Sequence, residues 1–165
     1  MRNNEEILIQ ISNLKLAAKC WGDPDARPLL GLHGWLDNAS TFDHLAPFLG
    51  EFRFISLDLP GHGFSDHRPP GSSYHFIDMV VDVLEVKNFF GWDRFSLIGH
   101  SMGAGVASYL AGTIPNDIDS LILIDGLGSV TQKSNKMPEI LRESSKEWMS
   151  LLQKQIPIYP DFETA

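Results

Sequence analysis

The sequence is poor in several features that mark whole classes of protein. It has one cysteine, Cys20, so no disulfide can form within the chain, and a reducing compartment is indicated. It has no run of about 18 apolar residues, so we expect no membrane-spanning helix. Basic residues are few: 13 Lys and Arg stand against 21 Asp and Glu, and the formal charge of −8 disfavours nucleic acid as a partner.

The start of the chain also lacks the pattern of a secretory signal. Glu5 and Glu6 lie among its first residues, and no long apolar stretch follows a basic start. We therefore expect an intracellular location. With 165 residues, 43% of them hydrophobic, the chain has the size and composition of one globular domain.

Short apolar segments alternate with amphipathic ones along the chain. An apolar–polar alternation at 7–11 and a second short segment at 14–17 predict a β-hairpin. Further strands are predicted at 28–32, 53–59, 94–99 and 118–125, and 28–32 and 121–124 are apolar enough to be buried on both faces. Helical spacing predicts helices at 37–50 (with Ser40 and Asp43 as a capping pair), 77–91, 102–112 and 138–155. This order predicts an α/β fold, a mostly parallel sheet with helices on both faces.

Chemistry in such sheets is found where strands end and helices begin. Gly99-His100-Ser101-Met102-Gly103 occupies such a position and has the pattern Gly-x-Ser-x-Gly. This pattern between a strand and a helix is typical of a nucleophile elbow, in which glycines permit a tight turn and close chain approach. Ser101 would stand at a helix N-terminus, where the Met102 amide favours developing negative charge.

A second candidate segment, His33-Gly34-Trp35, follows the buried strand 28–32. An oxyanion hole needs two backbone donors aimed at one point, and we expect the Trp35 amide to join that of Met102. Gly34 would let the backbone approach the substrate, and His33 is interpreted as a packed residue that supports this loop.

The loop after the strand 53–59 contains Pro60-Gly61-His62-Gly63. We interpret His62 as structural, while Phe64 and Trp35 are candidates for lining an apolar substrate pocket. No metal-ligand spacing surrounds His62, and we expect neither a metal nor a cofactor.

These motifs together resemble the α/β-hydrolase superfamily. The longer run 33–43, His-Gly-Trp-Leu-Asp-Asn-Ala-Ser-Thr-Phe-Asp, resembles more narrowly the serine hydrolase-like proteins, close to their peroxisomal and kraken-type members. The resemblance implies an α/β-hydrolase fold, with Ser101 as nucleophile, Trp35 and Met102 as oxyanion donors, and a small-molecule acyl substrate such as an ester. It also implies a cytoplasmic or peroxisomal location, although residues 162–165 are not a Ser-Lys-Leu-type signal.

The chain departs from the family pattern after Ser101. Family members place the triad acid and then the histidine after the serine, but all six histidines here precede it. Asp125, after the sixth strand, is a candidate acid, although a strand-end aspartate that caps local amides is the simpler interpretation. We expect residues 1–128 to form the first part of the hydrolase core, truncated after the sixth strand, and residues 129–165 to begin an incomplete helical cap.

Two functions remain open on these grounds. The first is a serine hydrolase, in which this chain alone would be inactive or nearly so because it lacks the triad histidine. The second is a truncated, non-catalytic binding or regulatory product. A dinucleotide-binding fold is disfavoured because Gly103-Ala104-Gly105 lies inside a helix and lacks the last glycine of that motif. The sequence leaves the oligomeric state open.

Overall fold

A computed structural model describes residues 5–128 and 136–151 of the chain. Its six strands form one sheet in the order β1-β2-β4-β3-β5-β6. Two pairings, β1 with β2 and β2 with β4, are antiparallel, whereas β4, β3, β5 and β6 run parallel to one another. The strands are β1 (Glu5–Gln10), β2 (Lys15–Trp21), β3 (Arg27–Leu32), β4 (Phe52–Leu57), β5 (Phe95–His100) and β6 (Ile118–Ile124). The predicted mostly parallel α/β sheet is confirmed.

The hairpin and the central strands follow from their side-chain patterns. In the hairpin turn, the Ile11 amide donates to the Leu14 carbonyl at 3.0 Å. Successive residues of β3 serve opposite faces of the sheet, because Leu30 belongs to one apolar cluster and Leu29 to the other. The apolar character of β3 on both faces is therefore the consequence of its central position.

Two long helices pack on one face of the sheet, α1 (Phe76–Phe90) and α2 (Met102–Thr113). Val83 of α1 and Val106 of α2 are fully buried in the larger apolar cluster, with side chains from five strands. The helix α1 ends at Gly91, which is left-handed (φ +66°) and whose amide donates back to Asn88. Glycine favours this conformation, so the predicted end of the helix has a clear cause.

The predicted helix at 37–50 is wrong. Two short 3-10 helices, Ala39–Phe42 and Ala46–Phe48, take its place on the other face of the sheet. Pro47 has no amide hydrogen and disfavours an α-helical residue before it, so a continuous helix cannot pass this point. The predicted capping pair is also wrong, since the side chain of Asn38 caps the first turn by accepting from the Ser40 amide at 2.9 Å.

The strand β6 is at the edge of the described sheet. Its apolar pattern is that of a strand buried between neighbours, and with no further strand beside it in the described residues, Leu121, Ile122 and Ile124 are 38–45% exposed. An unpaired apolar edge of this kind is prone to intermolecular pairing.

The chain separates into two compact units, residues 1–129 and 130–165. In the second unit the structure describes one helix, α3 (Met137–Leu151), in agreement with most of the helix predicted at 138–155. Residues 129–135 and 152–165, which hold the rest of the predicted cap, are outside the described residues. In the described part of both units, no helix is long and apolar enough to cross a membrane.

Candidate active site

Ser101 lies in a strained turn between β5 and α2. Its backbone angles, φ +49° and ψ −110°, are unusual for a residue with a β-carbon. The turn is held on both sides, because the Ser101 amide donates to Ile124 of β6 at 2.9 Å and its carbonyl accepts from the Gly105 amide at 3.2 Å. Such conformations persist only where surrounding structure enforces them, and they concentrate at functional sites.

The glycines on either side of Ser101 allow the close packing of this turn. A β-carbon on Gly99 would lie 2.5 Å from the Gly103 carbonyl oxygen, and one on Gly103 would lie 2.1 Å from the Leu32 carbonyl oxygen. The Gly103 amide also donates to the His33 carbonyl at 3.1 Å. The pattern Gly-x-Ser-x-Gly is thus required for α2 to pack against the end of β3.

The side chain of Ser101 faces solvent at the N-terminus of α2. Met102, the first residue of the helix, is half-buried. Among the residues that the structure describes, no hydrogen bond to Ser101 Oγ is found, and none of the histidines contacts it in this way.

The loop after β3 lies against Ser101. A β-carbon on the buried Gly34 would lie 3.5 Å from Ser101 Cβ and 3.0 Å from His100 Nδ1. Residues 34–37 form a turn in which the Asp37 amide donates to the Gly34 carbonyl at 3.3 Å. We call this the 34–37 turn. Its outer residues, Trp35 and Leu36, are 73% and 78% exposed, and Leu36 is left-handed with φ +59°.

His33 is fully buried and bonded through both ring nitrogens. Nε2 accepts the Leu59 amide hydrogen at 3.0 Å, so the proton of the neutral ring is on Nδ1, which donates to the Gly34 carbonyl at 2.7 Å. Burial lowers the pKa of His33 from its usual value, and His62, in edge contact at 5.0 Å, acts in the same direction. The ring is thus held neutral.

A second buried side chain, Asp58, lies directly after β4. One carboxylate oxygen accepts from the Ala39 amide at 2.5 Å and the other from the Phe64 amide at 2.8 Å. Gly63 is necessary here, since a β-carbon on it would lie 2.1 Å from the Asp58 carboxylate. Sequence reasoning assigned no role to this residue; the available signal was a carboxylate at the end of an apolar strand and directly before a glycine-rich loop.

Asp125 follows β6 at the same end of the sheet. It is exposed and left-handed (φ +52°), a conformation that aspartate tolerates better than most residues. The next residue, Gly126, lies against the serine turn, since a β-carbon on it would be 2.9 Å from the Ser101 carbonyl oxygen. The loops that carry residues 33–35, 101–102 and 125 therefore meet at the carboxyl ends of the parallel strands β3, β5 and β6.

The remaining histidines make no hydrogen bond to Ser101 Oγ in the described part of the chain. His44, His67 and His75 are exposed, and the buried Nδ1 of His100 has no hydrogen-bond partner in the described structure. Within residues 5–128 and 136–151, no cluster of three or more His, Cys, Asp or Glu side chains could hold a metal ion.

A cavity of about 330 Å³ is lined by the β1-β2 hairpin, by the start of the first 3-10 helix and by the loop after β4. Phe64 is part of its wall, whereas Trp35 and Ser101 are not, so the expectation that Phe64 and Trp35 line a substrate pocket stays a prediction. The cavity is therefore separate from the serine.

Comparison with known proteins gives a family. A profile described as the alpha/beta hydrolase fold matches residues 27–164. A serine hydrolase-like protein of Dictyostelium discoideum is 40% identical over 142 residues, which are 84% of this chain and 40% of that protein. A serine hydrolase-like protein of Danio rerio is 45% identical over 115 residues, 69% of this chain and 35% of that protein.

A solved structure gives the same result. The crystal structure of a hypothetical protein from Pseudomonas aeruginosa PAO1 matches with a TM-score of 0.90 and 47% identity, over 96% of this chain and 56% of that one. The chain thus spans 35–40% of the length of the two curated relatives above. The sheet order, the serine turn and these matches agree: the chain belongs to the α/β-hydrolase fold family.

Proposed function

We propose that the protein to which this chain belongs is a serine hydrolase that cleaves an ester or a related acyl compound by acyl transfer. The observation that carries the proposal is the conformation of Ser101, a residue with a β-carbon at φ +49° in a strand-to-helix turn. Strain of this kind costs about 1–3 kcal/mol and calls for a functional reason. A nucleophile elbow supplies that reason, because the strained turn presents the hydroxyl at the helix N-terminus.

In the proposed mechanism, Ser101 Oγ attacks the acyl carbonyl carbon, and the carbonyl oxygen becomes an oxyanion. The amides of Trp35 and Met102 donate to this oxyanion. A base takes the proton of the serine hydroxyl and passes it to the alkoxide oxygen as the bond from the acyl carbon to that oxygen breaks, so the leaving group departs as an alcohol. Water then attacks the acyl-serine, releasing the carboxylic acid and restoring the hydroxyl. The closeness of Gly34 to the serine turn supports this assignment of the Trp35 amide, since a β-carbon on Gly34 would lie 3.5 Å from Ser101 Cβ.

A serine hydroxyl needs a base to become a strong nucleophile. We propose that this base is a histidine outside these 165 residues, since the six histidines of the chain precede Ser101 and no hydrogen bond joins a described one to Oγ. Asp125 is the candidate acid within the chain, and its exposed position beside the serine turn supports that assignment.

The test is covalent labelling of the full-length protein with a fluorophosphonate at neutral pH, together with hydrolysis of a p-nitrophenyl ester. We expect labelling at Ser101 and ester turnover, and we expect Ser101→Ala to remove both. A folded parent protein that neither labels nor turns over ester would contradict the proposal.

A non-catalytic binding or regulatory role is the second candidate. It is favoured by the lack of a hydrogen-bonded base at Ser101 in the described residues. The same experiment separates the two, because strong labelling at neutral pH requires an activated serine. We also propose an intracellular location, cytoplasmic or peroxisomal, which imaging of the tagged full-length protein would test.

A further inference from the structure

Two loops at the candidate site exchange hydrogen bonds in both directions. In one direction, His33 Nε2 of the loop after β3 accepts from the Leu59 amide of the loop after β4, at 3.0 Å. In the other, Asp58 Oδ1 accepts from the Ala39 amide, at 2.5 Å. Each loop supplies the acceptor for a backbone donor of the other. We call these two bonds the reciprocal bridge.

Both acceptors of the reciprocal bridge are withdrawn from water. His33 is 0% exposed and Asp58 is 3% exposed. A buried amide that loses its acceptor is left unsatisfied, and bonds to a carboxylate are stronger than neutral ones. The second oxygen of Asp58 is held by the Phe64 amide, so the carboxylate has little freedom to turn away.

The 34–37 turn lies between the two residues of its own loop that enter the bridge, His33 and Ala39. Within the turn, the single backbone bond is long, at 3.3 Å, and Leu36 has a left-handed backbone. Such a strained turn needs anchors outside itself. The reciprocal bridge provides one at each end.

We propose that His33 and Asp58 are positioning residues that hold the Trp35 amide in place beside Ser101. The proposal deepens the proposed function and rests on it, since it takes that amide as a donor to the oxyanion. A misplacement of about 1 Å in such a donor lowers the rate by up to about 100-fold.

The test uses the full-length protein with four substitutions. Asp58→Asn keeps the shape but removes one acceptor, and His33→Phe keeps a ring without either nitrogen. His33→Gln retains an oxygen that can accept from Leu59. Ser65→Ala is the matched control, because Ser65 is buried in the same loop but bonds to Ala17 and to the Asp58 carbonyl, not to the loop after β3.

Two quantities are measured for each variant: the rate constant of fluorophosphonate labelling, and hydrogen exchange of the peptide covering 33–39. We expect Asp58→Asn and His33→Phe to lower the labelling rate at saturating reagent by about 10-fold or more and to speed exchange of this peptide. We expect His33→Gln to restore most of the labelling rate. We expect Ser65→Ala to lower the melting temperature, because it removes two buried hydrogen bonds, but to leave both quantities within about twofold of the parent.

The proposal is overturned if Ser65→Ala slows labelling as much as Asp58→Asn does, or if Asp58→Asn changes neither quantity. Failure of the proposed function has a different signature, namely no labelling of the parent. In that case hydrogen exchange of the peptide 33–39 is the deciding measurement. Faster exchange in Asp58→Asn but not in Ser65→Ala supports the anchoring of the 34–37 turn, and the same exchange rate in the two variants refutes it.

Discussion

Gly103 of α2 touches the end of β3 so closely that a β-carbon on it would lie 2.1 Å from the carbonyl oxygen of Leu32. This contact sets the distance between the helix behind Ser101 and the strand that leads into the 34–37 turn. We expect Gly103→Ala to destabilise the protein by several kcal/mol, because backbone atoms must move apart. Gly112, in the same helix, has open space around its α-carbon, and Gly112→Ala should stabilise by about 0.5–1 kcal/mol. Urea unfolding of both variants measures the contrast; equal effects would refute it.

Replacement of Ser101 by glycine should separate the backbone strain at this residue from the reactivity of its hydroxyl. Because Ser101 has φ +49°, Ser101→Gly relieves strain that Ser101→Ala retains. We expect the glycine variant to be more stable than the alanine variant by about 1 kcal/mol, with labelling lost in both. Ser108 lies within the regular part of α2, so there we expect the opposite order, with Ser108→Ala more stable than Ser108→Gly by about 1 kcal/mol. Thermal unfolding of the four variants gives the result, and an alanine variant at least as stable as the glycine variant at position 101 would argue against stored strain.

His33 should make stability depend on pH. Its pKa is lowered in the folded protein by burial and by His62, while the hydrogen bond to the Gly34 carbonyl and the charges of Asp58 and Asp37 act in the opposite direction. The unfolded chain therefore binds the proton more readily. The stabilising contribution is complete above the ordinary histidine pKa of about 6.5 and is lost as the pH falls through the lower folded value.

The measurement is the free energy of unfolding between pH 8 and pH 4.5, in the parent and in His33→Gln. Asp82, whose pKa is raised by burial to about 6, contributes in the opposite sense within this window. The difference between parent and variant isolates His33, because Asp82 is common to both. A difference that does not change with pH would show that protonation of His33 is not coupled to folding.

A buried ion pair, Arg68 with Asp82, ties the loop before α1 to that helix. Their side chains are 18% and 7% exposed, and Arg68 also stacks on Tyr74, 5.7 Å from the ring centre. Asp82→Ala leaves the guanidinium without its partner, and we expect a loss of about 3 kcal/mol. The control is Glu51→Ala, which breaks an exposed pair with Arg27 and should cost below about 0.5 kcal/mol. Similar losses from the two variants, measured by urea unfolding, would contradict this.

The sequence predicts the sheet and the serine turn well because both depend on local patterns. The strands are recognisable as apolar segments. The five consecutive residues 99–103 contain Gly99, Ser101 and Gly103 at fixed spacing, and this motif predicts the close approach of α2 to the end of β3. The end of α1 is equally local, since Gly91 alone provides the left-handed residue.

The failures have non-local or competing causes. The helix predicted at 37–50 rests on the spacing of Phe42, Leu45 and Leu49. Two successive 3-10 helices place these side chains on one face about as well as an α-helix does. The apolar spacing alone also takes no account of Pro47, which interrupts an α-helix. The role of Asp58 depends on an amide 19 positions earlier in the chain, and no spacing rule connects the two.

The exposed indole of Trp35 has a consequence for spectroscopy. Trp21 is 7% exposed and stacks on Phe54, Trp92 is half-buried against Phe90, and Trp148 of α3 is 42% exposed. Trp35 is the most exposed of the four tryptophans, at 73%, and belongs to the 34–37 turn that lies against Ser101. Collisional quenchers such as acrylamide should therefore reach its fluorescence far more readily than that of the two sheltered indoles. Under the proposed function, an acyl compound bound at Ser101 would shield the emission of Trp35 from the quencher, so binding could be followed by fluorescence without any turnover.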